Sequence, residues 1–289
     1  EITTRLVGSE MCIRDSHNST NGGYLMKSLK KVLAVVLCVL FVTGMFAACS
    51  KNSGESESDL AYIKSKGKMV IGITEYEPMN YKDANGDWTG FDTEFAQAVC
   101  EKLGVTPEFI VIDWDNKILE LNSKKIDCAW NGMTLTDEVK SSMNCTEPYV
   151  KNEQIVVMKA DVVNNYKQSS DLANVTFAAE SGSAGEAAIQ DLGFGAKLTS
   201  VSAQSDALME VESGSVQACV IDNTMANAMT GAGTSYADLA QGISLTSEEY
   251  GVGFRKDSDV TAEVNKIIQE MKADGSLQKL ADKYNLTLA

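Results

Sequence analysis

Leu119-Glu-Leu-Asn-Ser-Lys-Lys-Ile-Asp-Cys-Ala-Trp-Asn-Gly132 lies over Met209-Glu-Val-Glu-Ser-Gly-Ser-Val-Gln-Ala-Cys-Val-Ile-Asp222 when Ser123 is set on Ser213. Each passage reads as a helix end, a turn, a strand and then a polar loop, so the pair marks the same step in two units of similar build. Around the first copy, residues 69–73 form a β-branched run, followed by a polar stretch whose Asn85-Gly86 pair signals a turn. Residues 92–103 place Phe95, Val99 and Leu103 four apart, with Gly104 as the C-cap of a helix. A strand at 108–112, a helix at 116–123 and a strand at 126–130 complete this unit. Around the second copy the order recurs: strand 175–179, helix 183–192, strand 198–201, helix 206–212 and strand 217–221. Repeated strand, helix, strand order implies a parallel sheet with helices on its faces. The expected fold is α/β, with two doubly wound lobes. Ligands bind outside the carboxyl ends of such strands, where Gly132 and Asp222 fall.

Two extended runs, 154–158 and 250–255, are predicted to cross between the lobes and to form a hinge suited to closing a cleft. After the second, Val264, Ile267, Ile268 and Met271 share one helical face closed by Gly275, and a last helix covers 277–284. The expected boundaries are 60–153 plus 253–289 for the first lobe, 158–247 for the second, and 154–157 with 248–252 for the hinge.

Near the start, Lys27, Lys30 and Lys31 precede seventeen uncharged residues, 32–48, and then Cys49. A basic segment, an apolar run and the small pair Ala47-Ala48 make an export signal over 26–48. Phe46-Ala-Ala-Cys49 resembles the lipobox of bacterial lipoproteins, which implies cleavage before Cys49 and a diacylglycerol on its thiol. A retained transmembrane helix is the alternative, because the run sits at the short edge of the roughly 17 to 25 residues that a span needs. Either reading places the remainder outside the membrane. Residues 49–59 are Ser-rich and polar and read as a flexible tether. Residues 1–25 lack apolar periodicity, and 6–16 resemble translated sequencing-adapter sequence, so this upstream segment is set aside as non-native.

That exclusion removes His17, the single histidine, and with it histidine-based acid/base catalysis and histidine metal sites. A net charge of −15 argues against nucleic acid as a partner, since that needs clustered positive charge. Cys100, Cys128, Cys145 and Cys219 are widely spaced and form no Cys-x-x-Cys pair. Cys100, Cys128 and Cys219 lie among apolar residues and are expected as small buried hydrophobes, with disulfides as the alternative. No catalytic residue, metal or cofactor is expected, and the chain is expected to be a monomer.

Gly90-Phe91-Asp92, Trp114-Asp115, Ser123-x-x-x-Asp127, Gly132-Met-Thr-Leu-Thr136, Glu147-Pro-Tyr149, Gly182-Ser183, Ile221-Asp222, Phe254-Arg-Lys256 and Asp274-Gly275 occur in one order. With these motifs the chain resembles the extracellular solute-binding proteins that serve ABC importers of polar amino acids, over residues 60–286. The resemblance implies the type II periplasmic-binding-protein arrangement, two lobes joined by two crossing strands. It implies an extracytoplasmic receptor, lipid-anchored here through Cys49, that binds an amino acid or similar polar solute and delivers it to an ABC permease. An enzyme on the same scaffold, dehydratase- or lyase-like, is the alternative.

By the same resemblance the ligand's α-ammonium is held by Asp222 and by oxygens of the loop containing Gly132 and Thr134, because a buried ammonium needs an opposite charge and acceptors. Capping of the following helix is the competing role for Asp222. The α-carboxylate is assigned to the helix start at Gly182, Ser183 and Ala184, where free N–H groups and the helix dipole favour an anion. The family usually adds an arginine clamp where this chain has Val139. Lys140 reaching in, hydroxyls and backbone amides sufficing, or a ligand without an α-carboxylate are the three alternatives. Glu75 and Tyr76 fall where the family receives the ligand's body, and Trp130 is a candidate for stacking on it, with core packing as the alternative for both aromatics.

Overall fold

The computed structural model describes residues 58–289. The upstream segment, the export signal, Cys49 and the tether up to residue 57 lie outside the described residues. Ser58 caps a helix at Asp59–Lys66, its hydroxyl accepting from the Ala61 N–H. The last residues of the Ser-rich stretch are therefore built into the first lobe.

Two five-stranded sheets follow, each in its own lobe. The first runs Thr106–Val111, Lys68–Ile73, Cys128–Ala129, Gly253–Phe254 and Asn144–Cys145. The second runs Leu198–Val201, Phe177–Glu180, Ala218–Asp222, Gln154–Lys159 and Leu239–Ser244. In both, three parallel strands are followed by an antiparallel one. The strands Cys128–Ala129 and Ala218–Asp222, which the two matching passages set on one another, both stand third in their sheet. The α/β fold with two doubly wound lobes is thus observed.

Helix Phe91–Leu103 shows how the sequence fixes the packing. Phe91, Phe95, Val99 and Leu103 are buried at helical spacing, and Gly104 ends the helix in the left-handed region at φ 75°, a conformation that strains residues with a Cβ. Phe95 meets Trp130 edge-on at 5.0 Å, and Tyr149 at 5.5 Å, inside the first lobe. Helix Val260–Ala273 seals the same lobe with Val264, Ile267, Ile268 and Met271. Cys100, Cys128 and Cys219 are buried thiols, and no disulfide joins them.

The pairing between connecting segments lies at Val150–Asn152 and Glu248–Tyr250, in antiparallel register. Residues 154–157, expected in the hinge, belong instead to a strand that pairs along its length with Ala218–Asp222. The reason is hydrophobic: Ile155 to Met158 are buried in the second lobe and would be exposed in a free connection. Arg255, the only arginine among the described residues, is buried; its Nε donates to Asp59 at 2.8 Å and its guanidinium also donates to the Ile126 carbonyl at 2.8 Å. It fastens the first helix to the sheet and takes no part in the cleft.

Candidate functional site

Both third strands end at the cleft. Ala218–Asp222 delivers Asp222, and Cys128–Ala129 leads into the loop of Asn131, Gly132 and Thr134. Phe177–Glu180 ends beside them with Glu180. Between these ends lies a cavity of about 190 Å³ with walls from both lobes, including Trp114, Lys117, Thr134, Glu180, Gln204 and Asp222. Such a volume fits a small solute rather than a drug-sized one, which needs roughly 300 Å³ or more.

Asp222 occupies the N-cap position of helix Asn223–Met229, yet its side chain makes no capping bond. Its carboxylate turns into the cleft instead. Gln154 donates to Oδ1 at 2.8 Å, Asn152 donates to the same oxygen, and Gln204 donates to Oδ2. Asn152 and Gln154 also donate to Glu248 Oε1, both at 2.7 Å, so two carboxylates share one set of amide donors. Burial pushes the Asp222 carboxyl up to about 7, and the nearby Glu248 charge pushes the same way.

Glu180 is 2% exposed, and its Oε1 has no hydrogen-bond partner. Burial raises it to about 8, reinforced by Asp222 and opposed by Thr74 and Lys117. Lys117 is the cation in the cavity wall; its Nζ lies 5.1 Å from the Trp114 ring centre and donates to the Trp114 and Gly182 carbonyls at 3.2 and 2.9 Å. Burial lowers its pKa, against the pull of Glu138, Asp115 and Glu180.

Of the residues singled out in the sequence, Gly132, Thr134, Gly182, Ser183, Ala184 and Asp222 line the cavity. Thr134 donates across to Glu248 Oε1 at 2.7 Å. Gly132 sits at φ 56°, and a Cβ there would stand 2.6 Å from the Tyr76 ring. The other four lie elsewhere. Glu75 is exposed and stands off the cavity wall. Tyr76 is fully buried, with its hydroxyl between those of Tyr250, at 2.6 Å, and Thr224. Trp130, just past strand Cys128–Ala129, packs in the core against Phe95. Lys140 is exposed and faces Asp137 at 3.7 Å, since helix Asp137–Ser142 turns Val139 inward and Lys140 out.

Glu180, Lys117, Gln204, Asn152, Gln154 and Glu248 were not anticipated. Two signals pointed to the first two. Glu180 closes an apolar strand just before the Gly182 turn, and Lys117 shares a helix face with buried Leu121.

The geometry has parallels among known proteins. Residues 69–287 match the bacterial extracellular solute-binding proteins, family 3. Over 261 residues, 88% of this chain and 96% of the other, the sequence is 31% identical to the arginine-binding extracellular protein ArtP of Bacillus subtilis. A mutant of ArgBP from T. maritima superposes with a TM-score of 0.73 at 30% identity, covering 78% of this chain and 98% of that one. The ancestral amino acid-binding protein AncCDT-1, described as a precursor of cyclohexadienyl dehydratase, gives 0.72 at 32% identity, covering 78% and 99%.

Proposed function

Since the chain belongs to the bacterial extracellular solute-binding proteins, family 3, we propose that it is a lipid-anchored receptor that closes on one small polar solute and hands it to an ABC importer. The solute is an amino acid or a near relative carrying an ammonium group. Cys49 carries the lipid, the permease is the partner, and the receptor acts as a monomer.

The observation that carries this reading is the buried Asp222 carboxylate, fixed by Asn152, Gln154 and Gln204 at the wall of a two-lobed cavity. Three amide donors hold its charge in place, while the cavity leaves space for a cationic head beside it. Binding is conformational, and no bond is made or broken. The relatives are binding proteins, and this chain is a binding protein rather than an enzyme.

Native mass spectrometry of the purified protein, followed by a thermal-shift screen of amino acids, amines and related osmolytes, tests the proposal. A ligand that raises the melting temperature, is recovered chemically unchanged after unfolding, and loses its effect in Asp222→Ala is expected. Recovery of a chemically altered product would overturn the receptor reading in favour of an enzyme.

A further inference from the structure

The cleft has little with which to hold a carboxylate. At the helix start that would suit one, the Gly182 N–H already donates to Glu186 Oε2 at 2.8 Å. The Ser183 N–H donates to the Glu180 carbonyl at 3.2 Å, and the Ser183 hydroxyl accepts from the Glu186 N–H at 3.1 Å. A carboxylate of the chain itself therefore stands at the positive end of helix Ala184–Asp191. Lys117 is engaged by two backbone carbonyls, Val139 is apolar, and Lys140 faces solvent.

For a cation the cleft is well equipped. Asp222, which shares amide donors with Glu248, and Glu180, at the end of the neighbouring parallel strand, both line the cavity, and Glu180 Oε1 is buried and unpartnered. An unpaired carboxylate so deeply buried is costly unless a positive group meets it. Glu138 adds a further negative charge at the rim, against Lys117 alone.

Resting on the receptor reading above, we infer that the solute is a compact aliphatic amine with a second cationic head and no carboxylate. One head, an ammonium, meets Asp222 backed by Glu248. The other, an ammonium or guanidinium, meets Glu180.

Matched pairs that differ only by a carboxylate test this: agmatine against arginine, putrescine against ornithine, and cadaverine against lysine. Each is titrated calorimetrically into the full chain after dialysis to remove co-purified solute, beside a panel of neutral and acidic amino acids. In at least one pair the decarboxylated member is expected to bind at least tenfold tighter, and Glu180→Gln to weaken it at least tenfold while the melting temperature does not fall. Equal or tighter binding by the amino acid in every pair that binds would overturn the inference and leave the receptor reading standing. So would binding confined to the neutral or acidic amino acids. Silence across the pairs and the panel would sink both.

Discussion

Lys117 of the first lobe donates to the carbonyl oxygen of Gly182 in the second at 2.9 Å, closing one rim of the cleft with an ammonium. Beside it, a Cβ on Gly182 would stand 2.7 Å from Asp115, so the two rims meet backbone to backbone. A hydrogen bond from a charged donor contributes about 1.5–3 kcal/mol. Lys117→Met keeps the apolar stem and removes that bond. The variant's ligand-free form is expected to open, and small-angle scattering should report a larger radius of gyration than for the unaltered chain, with the difference removed by ligand.

Glu180 makes stability depend on pH in a stated direction. Its folded pKa, about 8, lies above the ordinary 4.5, so the folded state holds the proton more tightly than the unfolded one. Asp222, at about 7 against 3.8, adds to the same trend. Stability from these groups is full below their ordinary values and is lost as pH rises toward 7 to 8. The ligand-free melting temperature should fall between about pH 5 and pH 8, and Glu180→Gln should recover about 1–3 kcal/mol at the upper end and nothing near pH 4. Chemical denaturation at several pH values checks both slopes.

Gly132→Ala tests the tight turn behind the site. Its Cβ would press the Tyr76 ring at 2.6 Å and the Tyr250 ring at 3.2 Å, from a left-handed backbone that alanine resists. A loss of about 2–4 kcal/mol is expected in urea denaturation, from crowding and strain together.

Arg255→Met separates scaffold from site. The substitution leaves Asp59 without its partner and Asp127 with Lys66 and the Val70 N–H, and none of these residues lines the cavity. Removing one partner of a buried pair costs about 3–5 kcal/mol. Denaturation should show that loss, whereas titration at a temperature where the variant remains folded should give unchanged ligand affinity.

The strands and helices were legible because their signals are local. Phe95, Val99 and Leu103 at spacing four with Gly104 behind them define a helix whatever surrounds it, and two passages that align on a serine define a repeat. Asp222 and Thr134 were legible through position at strand ends. The amides of Asn152 and Gln154, on strands, and of Gln204, at a helix start, were not, since a lone polar side chain in such places carries no periodic mark and gains meaning only when three elements converge. For Trp130 both stacking on a ligand and core packing stayed open, because an aromatic at a strand end does not declare which face it takes. Lys140 stood next to the position of interest in sequence, but one residue along a helix turns a side chain by about a quarter of a circle or more.

The three hydroxyls of Tyr76, Thr224 and Tyr250 join the first lobe, the second lobe and a connecting strand, with Thr224 and Tyr250 3.0 Å apart. When the lobes part, water can take over each of these bonds, so swinging the molecule open trades one set of partners for another at little net expense. A receptor poised this near balance needs only a modest guest to decide which way it rests.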